Sequence, residues 1–541
     1  MPVSDTLNIR LAAHVLSEGK GYVRNIATKE HDPRTRVFST RLTADWSPSD
    51  SFDMLARFEY NDLRIRGTQA GNQPAISLDL IDPYVRNFAG TFGRMDGLEL
   101  KTWQFSNTAN IAIGEHTLVA VTGLQGFSGG NVGGTGLTNP ENFGIMQYED
   151  WFQASQELRI VSPEGRKFEW IAGVYGDLSD YKVDYKINYS LLNGAVVGLA
   201  ESPFNQTAQT FSAYFTGTYN ISDTVRAIGG ARFTYGHRKG DVVHRMISGV
   251  PFGFVNGNAA ADTISETHFD PSFALEWDIT PDVMVYGSYS SGSKSGAFQA
   301  NSRTVTPATF VLKPEDATAF EIGFKSRPTD WLTFNLALYE LTIKELHSAQ
   351  FIGTPPQLIA VNAAEARSRG AEWTIVLDPA PGLRVTALGT YIDAKYTDYP
   401  NAPCTDVQTP SPTGCDAKGR PLSAQAKWSG SLTVDYDQPV SENFRIFASA
   451  TANYQSRQNI DANRQNPLWG YEDPYTKVNA RVGFGDADGG WEFAVVAKNL
   501  FNKKTVNSTF PWGPPFLPMQ TVVVRPDPTR SVGVQFKLKT R

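Results

Sequence analysis

The sequence lacks any long apolar run, and this gap excludes one common class of membrane protein. No uninterrupted stretch of about 18 apolar residues occurs, so no transmembrane helix is predicted. The mean hydropathy is −0.30, a value typical of a soluble protein. A membrane β-barrel escapes both tests, because its strands alternate apolar and polar residues and produce no hydropathy peak.

Basic charge and metal-binding side chains are also scarce. Lysine and arginine number 49 against 55 aspartates and glutamates, and the net charge of −6 argues against a nucleic-acid partner. The seven histidines include no close His–His or Cys–His pair, so neither a metal nor another cofactor is expected. The start, "MPVSDTLNIRLAAHV", lacks the charged and apolar regions of a signal peptide.

Three short motifs that look catalytic or ligand-binding have simpler explanations. "SGSK" (291–294) matches the Ser-x-x-Lys of penicillin-recognising enzymes, but that chemistry needs a serine at a buried helix start and partner motifs elsewhere. "GGNVGGTG" (129–136) lacks the strand-then-helix context of a phosphate-binding loop. "DADGG" (486–490) lacks the later glutamate of a calcium loop. The sequence therefore predicts no enzyme.

What the sequence has in abundance is alternation. The stretch "WLTFNLALYELTIKEL" (331–346) fits both strand and helix spacing, and so short a piece cannot be assigned alone. Its neighbours decide the question. In "NFRIFASATANYQ" (443–455) and "TKVNARVGF" (476–484), apolar side chains alternate with polar and charged ones, whereas helical spacing would scatter the arginines around a cylinder. All of these segments are predicted strands.

Short and long connections alternate along the chain. Turns rich in Pro, Asp, Ser and Gly, such as "SPSDS" (47–51) and "DPAPG" (378–382), separate long polar stretches. The long stretches are predicted at 65–97, 126–149, 188–207, 291–312, 397–422, 457–473 and 505–528. Short periplasmic turns and long extracellular loops are typical of outer-membrane barrels. At about ten residues per crossing, roughly twenty strands are predicted.

Tryptophans near the ends of apolar runs favour aromatic belts at the two membrane boundaries. They are Trp46, Trp151, Trp170, Trp277, Trp331, Trp428 and Trp491.

Six phrases, in the expected order, resemble those of the TonB-dependent outer-membrane receptors. They are "VSDTLNIRLAA" (3–13), "SQELRIVSPEGRKFEWIAGVYG" (155–176), "YGSYSSGSKSGAFQ" (286–299), "LKPEDATAFEIGFKS" (312–326), "NAAEARSRGAEW" (362–373) and "VVAKNLFNKKT" (495–505). The resemblance implies an all-β, transmembrane antiparallel barrel, with about 20 strands present of a 22-stranded receptor barrel.

The resemblance also has departures. Residues 1–541 correspond to the barrel domain, whereas the family's plug domain, TonB box and first barrel hairpin find no counterpart. The chain ends "SVGVQFKLKTR" rather than on an aromatic residue. We therefore expect an N-terminally incomplete barrel portion without a signal peptide.

The function implied is that of a monomeric receptor in the outer membrane of a Gram-negative bacterium. Such receptors take up a scarce nutrient, for example an iron-siderophore complex. The expected partners are outer-membrane lipid and lipopolysaccharide, the small-molecule nutrient, and the TonB energy complex, the last only through a plug domain. Energised uptake by this chain alone is not expected. The alternatives are a plugless passive pore and a non-functional truncated receptor.

In such receptors the external loops and the upper lumen contact the ligand. Loop aromatics could stack on a ligand or equally pack loop against loop. The candidates are Trp469, Tyr471, Tyr475, Trp512 and Phe516. Lumen-facing Arg226, Arg232, Arg445, Lys477, Arg481 and Lys498 are ordinary for a polar barrel interior and are not proposed as a site.

The only two cysteines, Cys404 and Cys415, lie close together in a predicted external loop. In an oxidising compartment we expect them to form a disulfide. In a cytoplasmic protein they would remain free thiols.

Overall fold

The computed structural model describes the chain except for a set of residues that lie mostly in connections. These are residues 1, 27–28, 68–70, 75–83, 87–96, 135–142, 192–195, 250–254, 301–306, 353–356, 410, 412–413, 423, 462–466, 468–469, 513–520 and 540–541. Within the described ranges, no helix is long and apolar enough to cross a membrane.

Strands dominate the described residues. The first half contains β1 (Pro2–Ser4), β2 (Leu7–Ser17), β3 (Val23–Asn25), β4 (Glu30–Asp32), β5 (Arg34–Ser49), β6 (Phe52–Arg66), β7 (Gly71–Pro74), β8 (Val85–Arg86), β9 (Gly97–Ile113), β10 (His116–Gly134), β11 (Phe143–Val161), β12 (Phe168–Leu191), β13 (Val196–Asn220), β14 (Val225–Val243), β15 (Arg245–Gly249) and β16 (Ala259–Thr280). The second half contains β17 (Val283–Lys294), β18 (Ala297–Phe298), the short helix α1 (Pro307–Phe310), β19 (Val311–Leu312), β20 (Glu315–Thr329), β21 (Leu332–Ile352), β22 (Gln357–Ala380), β23 (Leu383–Asp398), β24 (Trp428–Pro439), β25 (Phe444–Gln455), β26 (Gln458–Asn459), β27 (Tyr471–Glu472), β28 (Tyr475–Asp486), β29 (Trp491–Lys498), β30 (Val506–Trp512), β31 (Thr521–Pro526) and β32 (Ser531–Leu538).

One antiparallel sheet of 22 segments forms the barrel wall. Its strands pair in sequence order, from β1–β2 at one end to β29–β32 at the other. Segments β1 and β15 are only 3 and 5 residues long, which leaves twenty full strands in the described part of the chain. The predicted all-β barrel and its approximate strand count are confirmed. Among the described residues, no pairing joins β32 to β1 or β2.

The ambiguous stretch at 331–346 lies almost entirely in β21, so the strand interpretation is confirmed. Its alternate apolar side chains point outward, as the 51% exposure of Leu338 shows. In β25, Phe444 and Tyr454 are likewise 47% and 43% exposed. Proteins surrounded by water rarely expose apolar side chains on this scale. It matches the lipid-facing band of a membrane barrel.

The tryptophans follow the belt pattern only in part. Trp46, Trp277 and Trp428 occupy outward positions of their strands and are exposed. Trp151 instead alternates with the outward Phe152 and shares the lumen face with Gln153. The sequence pattern detects aromatic residues at strand ends, but the choice of face depends on register, which composition does not report.

Short turns lie at one end of the barrel and long connections at the other. Two predicted loops, 126–149 and 188–207, are wrong in extent, because strands β10 to β13 continue through most of both. Beyond the membrane both faces of a hairpin meet water, so the apolar alternation disappears while backbone pairing continues. β13 is 25 residues long, well beyond the roughly ten needed to cross a bilayer.

Buried apolar side chains gather beside the long connections rather than at mid-barrel. One cluster contains Val183, Phe204, Val242, Phe298 and Phe310, the last contributed by α1. A second contains Ala364, Ala366, Tyr396, Tyr399, Ala402 and Ala417. The loop end therefore has its own packed cores, which hold the connections in fixed positions above the lumen.

Candidate functional site at the loop end of the barrel

Four long connections are joined to one another, and we call them the loop cluster. They are residues 18–33, 67–96, 456–474 and 499–530. Strand β31, in residues 499–530, pairs antiparallel with β7, in residues 67–96. Strand β3, in residues 18–33, pairs in parallel with β8, also in residues 67–96. A further bridge between Asp461 and Thr509 links the third connection to the fourth.

Tyr84 is the main anchor of the loop cluster and is only 6% exposed. Its hydroxyl donates to the backbone carbonyl of Asp527 at 3.0 Å. Its ring meets Tyr22 edge-on, with centroids 6.3 Å apart, and the Lys504 ammonium lies 5.0 Å from its centroid. Burial and the Asp527 carboxylate raise the pKa of Tyr22 to about 12, so this phenol remains neutral at physiological pH.

Asp527 connects the loop cluster to the barrel wall. Its Oδ2 accepts hydrogen bonds from Lys477 Nζ and Thr505 Oγ1, each at 2.6 Å. Its Oδ1 accepts from Asn507 Nδ2 at 3.2 Å. Because Lys477 belongs to β28, a loop carboxylate neutralises this lumen cation.

Two of the five predicted ligand-binding aromatics can be placed with their side chains. The Arg457 guanidinium carbon lies 4.3 Å from the centroid of the Tyr471 ring. Tyr475 donates its hydroxyl to Gln455 Oε1, and Lys477 Nζ lies 5.2 Å from its ring centroid. Trp512 ends β30, but its side chain lies outside the described part of the structure, as do Trp469 and Phe516. Ligand contact by all five stays a prediction.

Burial also affects the acid beside Tyr471. The Glu472 carboxylate accepts a hydrogen bond from the backbone N–H of Val506 at 3.0 Å. Burial raises the pKa of Glu472 above its ordinary value, because a dehydrated carboxylate is less stable when charged.

A polar cavity of about 470 Å³ opens in the lumen directly below the loop cluster. Strands β23, β24, β25 and β28 contribute its wall. Its lumen-facing side chains are Leu388, Thr390, Ser429, Ser431, Asn453, Gln455, Tyr475, Lys477 and Asn479. The volume lies within the range of small-molecule sites. Hydroxyl and amide groups dominate, so the cavity suits a ligand rich in hydrogen-bonding oxygens.

The charged lumen residues named from the sequence are mostly paired. Arg226 donates to Glu276 at 2.9 Å and also to Asp278 at 2.5 Å. Arg445 and Arg481 share Glu492, at 2.5 Å and 2.8 Å. Arg226 and Arg481 pair with residues of the adjacent strand, whereas Arg445 reaches across β28 to Glu492 of β29. They support the interpretation that such cations belong to the barrel's polar interior.

Sequence reasoning missed a buried acid–histidine pair in the upper lumen. Glu266 and His268 alternate on β16, and their Oε1 and Nε2 atoms lie 3.5 Å apart with side chains about one-tenth exposed. Arg238 of β14 lies 3.5 Å from the same carboxylate oxygen. Two-residue spacing in a polar strand could have indicated this shared face. Among the described residues, no group of three or more His, Cys, Asp or Glu side chains could hold a metal ion.

Cys404 and Cys415 form a disulfide in the connection 399–427, with Cα atoms 4.9 Å apart. Arg420 of the same connection donates to the Pro403 carbonyl at 2.9 Å and to Gln408 Oε1 at 3.0 Å. Burial lowers the pKa of Arg420 from its ordinary value. The disulfide closes a loop packed on the second apolar cluster.

Comparison with known proteins assigns the family. Residues 15–500 match the family described as "TonB dependent receptor-like, beta-barrel". This chain therefore belongs to the TonB-dependent receptors. That family comprises outer-membrane receptors for nutrient ligands that act with TonB, and not enzymes.

Solved structures support the same architecture. The ferric yersiniabactin uptake receptor FyuA of Yersinia pestis superimposes with a TM-score of 0.78 at 16% identity, covering 99% of this chain and 76% of FyuA. The siderophore receptor PiuA of Acinetobacter baumannii gives 0.72 at 12% identity, covering 98% and 78%. The copper transporter OprC gives 0.68 at 12% identity, covering 98% and 75%. At such identities the likeness establishes the fold alone.

Proposed function

We propose that this chain is the barrel of an outer-membrane receptor that captures a small, oxygen-rich metal chelate at its loop end. The observation that carries the proposal is the polar cavity beneath the loop cluster. Its hydroxyl and amide groups can bind the oxygens of a chelate. Its cation, Lys477, is already neutralised by Asp527, so the site does not select for a strongly anionic ligand.

The similar structures support this ligand class. They include receptors described as taking up ferric yersiniabactin or siderophores, and a copper transporter. We further propose that residues 1–541 act as a single monomeric barrel domain in the Gram-negative outer membrane. Lipid and lipopolysaccharide would surround its apolar band.

The binding test uses the whole chain in detergent micelles. It would be titrated with a ferric hydroxamate, a ferric catecholate, ferric citrate and Cu²⁺ while tryptophan fluorescence is recorded. We expect at least one ferric chelate to bind in the micromolar range or tighter. The absence of saturable binding by all four probes would contradict the proposed ligand class.

Two variants locate the site. Tyr475→Phe removes the hydroxyl at the top of the cavity, and the double variant Tyr475→Phe/Lys477→Gln also removes the cation. We expect the double variant to weaken binding at least tenfold. Tyr436→Phe is the matched control, because Tyr436 lies on β24 but points outward and does not line the cavity. Equal weakening by the control would place the ligand elsewhere.

A passive pore is the second candidate, and the polar lumen wall favours it. Charged pairs such as Arg226–Asp278 and Arg445–Glu492 would line a hydrated path. Conductance of the purified chain in planar bilayers decides this point. Stable ohmic currents without chelate binding would support the pore over the receptor.

A further inference from the structure

The acid–histidine pair of the upper lumen contains two buried atoms that lack hydrogen bonds. Glu266 Oε1 and His268 Nε2 are both buried, and among the described residues neither atom has a hydrogen-bond partner. Their side chains are only 10% and 9% exposed, and the two atoms lie 3.5 Å apart, too far for a good hydrogen bond between them. Buried polar atoms without partners are costly and rare. Two such atoms facing each other indicate a site for a third group.

The strand itself places both side chains on the lumen face. Residues of β16 alternate between the two faces of the wall, so Glu266, His268 and Asp270 lie on the same side. In the register, Glu266 lies opposite Gly236 of β14. Gly236 has no side chain, and a Cβ there would be 3.7 Å from Glu266 Oε1. The glycine therefore leaves space beside the unpartnered oxygen.

The second carboxylate oxygen fixes the orientation of Glu266. Its Oε2 accepts a hydrogen bond from the backbone N–H of Gly296 at 3.2 Å. Arg238 of β14 donates to the carbonyl oxygen of the same glycine at 2.7 Å. Gly296 is thus held at both of its backbone polar groups. With Oε2 engaged in this way, Oε1 stays directed toward His268.

The charges around the pair favour a cation. The groups that share this part of the lumen face are two arginines of β14, Arg232 and Arg238, and three carboxylates of β16, Asp262, Glu266 and Asp270. Arg238 lies 3.5 Å from Glu266 Oε1, but its hydrogen bond goes to a backbone carbonyl. Arg232 donates to neighbouring hydroxyl groups. The carboxylates exceed the arginines by one, so the surroundings carry a net negative charge.

The spacing of the two unpartnered atoms matches a metal ion better than a water molecule. A water molecule about 2.8 Å from both atoms would hold them about 4.6 Å apart at a tetrahedral angle. Two ligands about 2.1 Å from a tetrahedral zinc ion lie about 3.4 Å apart. The observed separation of 3.5 Å agrees with the metal geometry. A carboxylate with an imidazole suits Zn²⁺ or Cu²⁺, whereas Mg²⁺ and Ca²⁺ prefer oxygen ligands alone.

We propose that Glu266 and His268 bind a divalent transition-metal ion, Zn²⁺ or Cu²⁺, on the wall of the upper lumen. Glu266 Oε1 and His268 Nε2 supply two ligands, and both atoms gain the partner that they lack. Within the described ranges no third His, Cys, Asp or Glu side chain joins the pair, so water completes the coordination and the ion stays exchangeable. The proposal does not rest on the cavity beneath the loop cluster, which other strands line.

The test uses the whole chain in detergent micelles after treatment with a chelator. Isothermal titration calorimetry measures Zn²⁺ binding, and electron paramagnetic resonance identifies the ligands of Cu²⁺. We expect saturable Zn²⁺ binding in the micromolar range and a Cu²⁺ spectrum with coupling to a nitrogen ligand. A large excess of Mg²⁺ should not compete. Displacement of Zn²⁺ by Mg²⁺, or a Cu²⁺ spectrum without nitrogen coupling, would overturn the proposal.

Variants locate the ion. His268→Gln and Glu266→Gln should each weaken Zn²⁺ binding at least tenfold, and His268→Gln should also remove the nitrogen coupling. His237→Gln is the matched control, because His237 lies on β14 at the same level but on the outward face, where its ring contacts Ser265 at 2.9 Å. Unchanged affinity in His268→Gln, or equal weakening in the control, would overturn the assignment. If one of the two site variants does not fold, the other carries the test by the same criterion.

Discussion

Replacing Gly173 with alanine tests how the lumen face of the wall is packed. Gly173 of β12 lies directly opposite Tyr214 of β13. The phenol lies over the glycine, so an added Cβ would stand 2.5 Å from Cζ and 2.6 Å from the hydroxyl oxygen. In that position the Tyr214 hydroxyl donates to Glu157 Oε1 at 2.5 Å. The ring must therefore move if a methyl group is added.

The expected loss combines three effects. Overpacking by one methyl group costs about 1–3 kcal/mol. Moving the ring also breaks the Tyr214–Glu157 hydrogen bond, which contributes about 1 kcal/mol at a partly exposed position. Alanine restricts the unfolded chain and so returns about 0.5 kcal/mol. The net decrease in the free energy of unfolding should be about 1.5–3.5 kcal/mol.

The assay is urea-induced unfolding from phospholipid vesicles, followed by tryptophan fluorescence. Gly292→Ala is the control, because Gly292 also belongs to the lumen face, on β17, and an added Cβ there would have no other atom within 4 Å. We expect the control to change stability by less than about 0.5 kcal/mol. Tyr214→Ala should remove most of the Gly173→Ala effect, because the overlap requires the ring. Equal unfolding midpoints for Gly173→Ala and Gly292→Ala would refute the reasoning.

Three further predictions concern a histidine, a charge cluster and the disulfide. Burial lowers the pKa of His244 to about 4 in the folded protein, whereas an exposed histidine in the unfolded chain has a pKa of about 6.5. The unfolded chain therefore takes up the proton at higher pH, and the stability of the folded segment is lost as pH falls from about 6.5 to 4. Hydrogen exchange of residues 245–249 should accelerate over that window, and His244→Gln should abolish the pH dependence. Glu492→Gln leaves Arg445 and Arg481 without their shared carboxylate and should lower the free energy of unfolding by about 2 kcal/mol. Adding Arg481→Gln to this variant should restore part of the lost stability. Reducing the Cys404–Cys415 bond should lower the stability of the folded loop by about 3 kcal/mol, because the bond restricts the unfolded loop. Proteolysis between the cysteines should then accelerate, and unchanged cleavage would contradict this.

The barrel was predictable because its lipid-facing side chains must be apolar over the membrane span. In β25 and β28 this requirement makes every second residue apolar. The structure confirms the alternation, because Phe444 and Tyr454 are exposed on one face of β25. The extension of β12 and β13 above the membrane was not predictable. Water contacts both faces of the strands there, so apolar and polar residues no longer alternate and the sequence gives no strand pattern.

The candidate site was only partly predictable. Tyr475 could be named because an aromatic side chain at the loop end can stack on a ligand. Thr390, Ser431 and Asn453, which line the same cavity, come from three strands and carry no local signal. The spacing of Glu266 and His268 places them on one face of β16, but the sequence does not show that this face is buried in the lumen.

The joining of the last long connection to the second has a consequence for the order of assembly. The Tyr84 hydroxyl binds the Asp527 carbonyl across 443 residues of chain. Contacts between such distant segments form late, because the loop-closure entropy must be overcome first. The intervening strands bring Tyr84 near its partner, so we expect the loop cluster to form late in folding. Its completion would then distinguish an assembled barrel from one that is still inserting.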